Sequence, residues 1–405
     1  MIHITHIYPR FKKIHGGGEP VLIHLLNQLT FLGYKNTLHT CDLPDKMRHL
    51  IDERVSVKTP PKLLKKKFSH FLLQGFWDLM ASSLLAIRIP EDCDVICFHT
   101  EGAVPALLVY KLFVRKKPCI YFCFQPPRFA YDTSKEIKRF GGIMSQLLPC
   151  FSGIYRPFDR YTVRLADKVL TFSTGYKKWI ESIYDIKDVL VIPCGVKKPD
   201  VIPALSENIS AKLSMPGTKT IIFAGKLIAQ KNTDRLINII SIVKKRVNRI
   251  KCLIVGDGPC MESLRKQAGR MGLDGNIIFC GYVDSHEVFA YYSAADLFVI
   301  LEKNVSFGLS IIEAHSCGLP ALAFEGGGPS DIIEHGKNGF LQSPQNTDTD
   351  IANQIVEYLT NEEMMQRMRR TAGESSLKYT WQNFATTFAD IATGMSKCSS
   401  DKSGY

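Results

Sequence analysis

The stretch from Asp296 to Asp331 restricts this chain more than any other. It begins with an apolar run, Leu297-Phe298-Val299-Ile300-Leu301, of the length and composition of a buried strand. After a short loop, residues 308–317 predict a helix, with a small residue at its start and a glycine at its end. Ala321-Leu322-Ala323-Phe324 is a second strand, and Gly326-Gly327-Gly328 opens another helix with Pro329 at its first position. Strand, loop, helix, strand, glycine loop, helix is the repeating unit of a parallel α/β sheet. The start of helix 308–317 presents unpaired N–H groups and a partial positive charge. Glu313 lies about one and a half turns inside it. Amides beside a carboxylate suit a nucleotide, with phosphate on the N–H groups and ribose hydroxyls on Glu313. The Gly326–Gly328 loop is expected to add a second nest of N–H groups.

The same punctuation continues through the chain. Ile2–Ile7 is strand-like and leads through Tyr8-Pro9 into a loop holding Gly16, Gly17 and Gly18. Val21, Leu22, Leu25, Leu26, Leu29 and Leu32 then recur at helical spacing, and Gly33 caps that helix. A glycine loop at the carboxyl end of a first strand is where open α/β sheets bind ligands. Strands 94–98 and 119–124 end in His99-Thr100-Glu101-Gly102 and in Gln125-Pro126-Pro127-Arg128-Phe129-Ala130-Tyr131-Asp132. Thr220–Gly225 is a strand followed by Lys226 and Lys231, and Lys251–Val255 is one followed by Gly256-Asp257-Gly258-Pro259. That Gly-x-Gly lacks a third glycine at dinucleotide spacing, which argues against NAD. A strand ending in Gly281-Tyr282-Val283 precedes the opening stretch.

At 405 residues the chain can hold two domains with full cores. The first is expected over 1–200 and the second over 215–375, with a helix over 376–395 returning to the first. A polar, disordered tail is expected over 396–405. No signal peptide or membrane-spanning run stands out. The twelve cysteines form no Cys-x-x-Cys pair, which predicts reduced thiols and a cytoplasmic protein.

Charge is divided unevenly. Residues 1–200 hold 30 Lys and Arg against 18 Asp and Glu, whereas residues 201–405 hold 21 of each, so the whole net charge of +12 lies in the first half. Lys62, Lys65, Lys66 and Lys67 precede Phe68, Phe71, Phe76 and Trp77, a pattern that fits either an anionic membrane surface or a core helix with a solvated lysine run. Residues 140–155 carry no charge and are flanked by arginines. Gly141, Gly142, Pro149 and Gly153 predict an irregular segment there, dipping into a membrane interface or buried. No nucleic-acid motif accompanies the basic half.

These motifs, in this order, resemble those of family four of the retaining glycosyltransferases. The resemblance covers nearly the whole chain and implies the GT-B fold: α/β, two Rossmann-like domains facing each other across a cleft. It implies that Lys226 and Lys231 clamp a donor diphosphate without a metal ion, and that Glu313 completes the catalytic set. Gly17, Gly18, Gly225, Gly256, Gly258, Gly281, Phe307, Gly308 and Leu309 would line the donor, and His99, Arg128 and Asp132 the acceptor or sugar side. The implied reaction moves a hexose from a nucleotide-diphosphate sugar to a glycan or lipid-linked acceptor at the cytosolic membrane face. The chain departs from the family twice. Val305 stands where a glutamate is usual, eight residues before Glu313, and Phe124 where a histidine is usual. Both departures also fit a catalytically weakened nucleotide-sugar binder acting as a scaffold, and a phosphorylase-type enzyme on the same fold is a further alternative.

Overall fold

The computed structural model describes residues 1–11, 17–60, 71–87, 89–114, 117–131 and 143–400. The chain divides into two compact units, Met1–Cys194 with Trp381–Tyr405, and Gly195–Thr380. Each is built on one parallel sheet.

The first unit holds β1 (His3–Ile7), β2 (Lys35–His39), β3 (Ser56–Lys58), β4 (Val95–His99), β5 (Cys119–Phe122), β6 (Lys168–Thr171) and β7 (Leu190–Val191). Their spatial order is β3-β2-β1-β4-β5-β6-β7. β1, β4 and β5 are buried along their whole length, as strands covered by crossover helices must be. The helix Gly18–Phe31 buries the predicted leucines and ends at Leu32, before Gly33 with φ +87°. The terminal helix Trp381–Ser400 packs against it: the rings of His24 and Trp381 stack 4.2 Å apart, and Tyr34 and Thr393 hydroxyls meet at 3.2 Å. Phe388 is fully buried beside His6 and Phe122.

Two sequence expectations change here. The last helix continues through 396–400, which their polarity had assigned to the tail. Residues 143–164 form one continuous helix despite Pro149 and Pro157. Each proline removes one N–H from the ladder, and tertiary anchors offset the loss. The Arg156 side chain donates to Ala130 O at 2.5 Å, and Tyr155 packs on Phe129.

The second unit holds β8 (Lys219–Ala224), β9 (Ile250–Val255), β10 (Ile277–Gly281), β11 (Leu297–Ile300), β12 (Ala321–Phe324) and β13 (Gly339–Gln342), in the order β10-β9-β8-β11-β12-β13. Ile221, Phe223, Leu236, Ile240, Val299 and Leu322 belong to its core. Its helix Asp348–Thr360 starts with a reciprocal cap. Thr347 Oγ1 accepts from the Asp350 N–H at 3.2 Å, and the Asp350 carboxylate accepts from the Thr347 N–H at 2.8 Å.

Truncating Phe388 removes a ring from the middle of the first unit's core. Phe388→Ala should cost that unit about 3–5 kcal/mol, read as an earlier unfolding transition in denaturant. The second unit's transition should stay in place. An unshifted first transition would mean that the terminal helix is not part of that core.

Candidate functional site

In the second sheet the connections run one way from β8 and the other way from β11, so the loops after these two neighbouring strands diverge. Ligands of open α/β sheets bind at such a reversal, outside the carboxyl ends of the strands. The loop after β8 carries Gly225, with φ +153°, then exposed Lys226 and a single turn Ala229–Lys231. The loop after β11 carries Leu301 and Glu302. Two side-chain bonds tie the loops together. Asn232, in a left-handed conformation at φ +48°, donates to Leu301 O at 2.5 Å, and Lys231 Nζ meets Glu302 Oε2 at 2.5 Å. Glu302 is 6% exposed and Lys231 23%. Lys231 is therefore already paired with a buried carboxylate, a partner that the sequence pattern did not reveal. Lys226 has no ion pair among the described residues.

Glu313 lies on the helix Leu309–Ser316, whose N-cap Gly308 has φ +110°. Only glycine takes that conformation without strain. Ile311 and Ile312 both donate back to Gly308 O, which leaves the amides of Leu309 and Ser310 as the open donors of the first turn among the described residues. Phe307 is buried and packs edge-on against Tyr379. The Tyr292 hydroxyl donates to Glu313 Oε2 at 3.3 Å. Burial pushes the Glu313 carboxyl up to about 7, against that hydrogen bond.

The glycine loops are packed closely against other backbone. A Cβ on Gly256 would stand 2.0 Å from Gly225 O, and one on Gly258 would stand 2.3 Å from Leu227 O. The Gly256 amide donates to Gly281 O at 2.7 Å, and Gly281 has φ +72°. These residues let the loops after β8, β9 and β10 touch, whatever else they line. The predicted nest at Gly326–Gly328 is largely spent. Gly326 N donates to Ser330 Oγ at 2.7 Å and Gly328 N to Val305 O at 2.8 Å. Gly327 and Gly328 have no room for a side chain against the carbonyls of Val305 and Phe307.

In the first unit the corresponding reversal lies between β1 and β4. Gly17 is the exposed N-cap of the helix that follows β1, and a Cβ on Gly18 would stand 3.1 Å from the Phe124 ring. Phe124 itself is buried among Phe122, Phe172 and His99. At the end of β4, Thr100 has φ +67° and ψ 172°, a region that side chains other than glycine's seldom occupy. No sequence pattern signals this residue. Arg128 is half-buried at the start of the short helix Arg128–Tyr131. Asp132 and Lys62–Lys67 lie outside the described residues.

His99 is fully buried, inside the sheet. It belongs to a hydrogen-bonded chain with His6 and Cys97, whose ligand-type atoms lie within 4.8 Å of one another. Asn36 Nδ2 donates to Thr30 Oγ1 at 3.0 Å and Tyr34 O at 3.1 Å, which turns its Oδ1 toward His6 Nε2, 3.3 Å away. His6 therefore donates through Nε2 and accepts through Nδ1, from His99 Nε2 at 3.0 Å. His99 Nδ1 is left to accept from the Cys97 thiol at 4.0 Å. Burial favours both neutral rings, lowering His6 to about 4 and His99 well below its usual value. Every ring nitrogen is engaged without a cation.

Comparison with known proteins follows the same division. Residues 15–198 match the family model described as Glycosyltransferase Family 4, and residues 206–375 the model described as Glycosyl transferases group 1. A 2-deoxystreptamine N-acetyl-D-glucosaminyltransferase of Niallia circulans is 27% identical over 158 residues, covering 39% of this chain and 40% of the relative. A GDP-mannose-dependent alpha-(1-6)-phosphatidylinositol monomannoside mannosyltransferase of Mycobacterium tuberculosis is 25% identical over 240 residues, 56% of this chain and 62% of the relative. The chain thus spans between 40% and 62% of the length of these curated relatives. The crystal structure of Anabaena HepE in complex with UDP and glucose superposes with a TM-score of 0.70 at 18% identity, over 97% of this chain and 100% of that one.

The raised Glu313 carboxyl makes a signed prediction. Its folded value of about 7 lies above its ordinary 4.5, so the folded protein holds this proton more tightly than the unfolded chain does. Its contribution favours folding below 4.5 and is lost as pH rises through 7. Glu313→Gln should therefore gain stability relative to wild type as pH rises from 5 to 8, measured by denaturant titration. A difference between the two that is constant with pH would show an unshifted carboxyl.

Proposed function

The chain belongs to glycosyltransferase family 4, with the GT-B fold, and we propose that it moves a hexose from a nucleotide-diphosphate sugar to a glycan or lipid-linked acceptor, with retention of configuration. The observation that carries the reading is the grouping at the reversal of the second sheet. Lys226 and Lys231 follow β8, the open amides of Leu309 and Ser310 lie on the connection that follows β11, and Glu313 stands further along the same helix. A diphosphate needs fixed positive charge where negative charge develops as it leaves. Two lysines and a helix N-terminus supply that charge, so the reaction needs no metal ion. Glu313 accepts ribose hydroxyls. The donor phosphate serves as base for the incoming hydroxyl, and the protein's share is positioning and electrostatics. The structural neighbours crystallised with UDP support a nucleotide ligand.

A lipid-linked acceptor at a cytosolic membrane face fits the first unit. Phe113 is 81% exposed, Ile154 77%, Leu112 55% and Phe151 52%, and all the excess positive charge lies in residues 1–200. Apolar groups among cations are what an anionic lipid surface binds. The relative named as a phosphatidylinositol monomannoside mannosyltransferase supports the same choice. No described helix is long and apolar enough to cross a membrane. A scaffold that binds nucleotide sugar without transfer is the second reading, and Val305 and the Lys231–Glu302 pair favour it. Release of nucleoside diphosphate from a donor sugar separates the two.

The donor site predicts that Lys226→Ala and Lys231→Ala each weaken nucleoside diphosphate binding by about 1.5–3 kcal/mol, as lost charged hydrogen bonds do. Glu313→Ala should weaken free nucleosides as well, and transfer should persist in excess chelator. Titration calorimetry with UDP and GDP, and with their nucleosides, reads the first two effects. Equal binding by all three variants, or an absolute need for magnesium or manganese, would move the site or change the mechanism.

The membrane reading predicts that the protein sediments with phosphatidylserine or phosphatidylglycerol vesicles and is partly released by high salt. Phe113→Ser with Ile154→Ser should remove the salt-resistant part. Wild type left in the supernatant at low salt would favour a soluble acceptor.

A further inference from the structure

We propose that Tyr292 is a positioning residue for the donor, holding the Glu313 carboxylate in the orientation from which it accepts the ribose hydroxyls. The inference rests on the donor-site reading and adds to it a buried side chain that no sequence pattern singled out. Tyr292 lies on the helix Val288–Ser293, which leads into β11. It is 1% exposed, and its ring stands edge-on to Phe298 at 5.7 Å and to Phe289 at 6.2 Å. A ring packed on two sides in a dense core has no second rotamer to swing into, so its hydroxyl is a fixed point. That hydroxyl donates to Glu313 Oε2 at 3.3 Å.

A glutamate side chain turns about three bonds, and ordering it is among the larger side-chain entropy costs. The Tyr292 bond meets part of that cost before any ligand arrives. Glu313 is half-buried, and its Oε1 has no hydrogen-bond partner among the described residues and is not among their enclosed unpaired atoms. An ionised carboxylate only accepts, and each oxygen takes more than one hydrogen bond. It can therefore meet the two hydroxyls of a vicinal diol while Tyr292 stays in place. The Tyr292 bond also favours the charged carboxylate, the stronger acceptor, against the burial that favours the neutral form. Other titratable groups on the neighbouring elements act elsewhere. His315 turns to Ser375 on the helix Glu362–Ser376, and Arg369 of that helix pairs with Asp296. Asp331 acts on Tyr379, and Glu287 on Tyr282 and Tyr291. Cys317, whose thiol is raised by burial, feels the Glu313 charge least of its neighbours.

The test measures UDP and GDP, each beside its 2′,3′-dideoxy analogue, by titration calorimetry across a pH series on wild type, Tyr292→Phe, Glu313→Gln and the double variant. The diphosphate titrates alike in both members of a pair, so their affinity ratio reports the ribose contact alone. Tyr292→Phe keeps the packed ring, and melting temperatures serve as the folding check. Wild type should prefer the ribonucleotide by about tenfold or more above neutral pH, as hydrogen bonds to a charged group do. That preference should fall as pH drops through about 7, where Glu313 takes up its proton. Tyr292→Phe should cut the preference by about three- to tenfold. It should also move the pH at which the preference half-develops upward, because the bond that favoured the carboxylate is gone. Added to Glu313→Gln, Tyr292→Phe should change the preference no further. A folded Tyr292→Phe with the preference and pH profile of wild type overturns the inference and leaves the donor site standing. Equal weakening of both members of a pair makes Tyr292 a support of the fold alone, and the inference falls. If wild type binds the members of each pair alike, or Glu313→Gln keeps the preference, Glu313 does not meet the ribose. The donor-site reading then goes together with the inference.

Discussion

Parallel strands can be joined only by crossovers, and in each sheet of this protein the crossovers change direction once. In the first sheet the change falls between β1 and β4, in the second between β8 and β11. At every other pair of neighbours the connections follow one another and cover the strand ends. At these two they part, which opens a crevice outside the carboxyl ends, and at the second Lys231 and Asn232 still reach across it to Glu302 and Leu301. The second reversal gathers Lys226, Lys231, Glu302 and the start of the helix Leu309–Ser316. The first gathers Gly17, Gly18 and the strained Thr100. Chemistry-bearing residues from distant stretches of sequence collect there because the winding leaves them nowhere else to be covered.

A reversal gives room, and the glycines keep it in shape. Where the loops after β8, β9 and β10 meet, their backbones touch closely enough that a single Cβ at Gly256 or Gly258 would overlap a carbonyl oxygen. The amides and carbonyls in this contact satisfy one another, as at Gly256 N to Gly281 O. A polar backbone brought out of water must find such partners. The side chains the loops carry, Lys231 and Asn232 among them, are then held on a base that cannot slide.

Much of this was legible in the sequence, and the part that was not has a common cause. Apolar runs such as Leu297–Ile300 and periodic leucines such as Leu22, Leu25 and Leu29 report burial directly, so strands and helices could be placed from them. Two extended parallel sheets and family membership followed from the order of these elements and their motifs. What the sequence could not give is pairing across space. Glu302 reads as an ordinary loop acid until Lys231 is placed beside it. His99 reads as a polar group at a strand end until Asn36 fixes the tautomer of His6, and so of His99. The amides of Gly326 and Gly328 look available until Ser330 and Val305 are found accepting from them. The helix 143–164 shows the complementary error, in which local prolines outweighed, on paper, the tertiary contacts that hold it.

Charge adds a constraint that neither sheet topology nor packing supplies. Residues 201–405 carry 21 cations and 21 anions, so the half with the proposed donor residues has no net charge to draw in a dianion from a distance. At physiological ionic strength the screening length is about 8 Å, and a group further away than that contributes little. On the proposed reading, affinity for a diphosphate would then come from the few donors in direct contact: two ammonium groups and the first turn of one helix. The Lys231–Glu302 pair reduces even that. A site of this kind holds its ligand through placement instead of bulk attraction. On that reading, placement would also separate a sugar-bearing nucleotide from the bare diphosphate left after transfer, and a modest hold on the latter would favour its release.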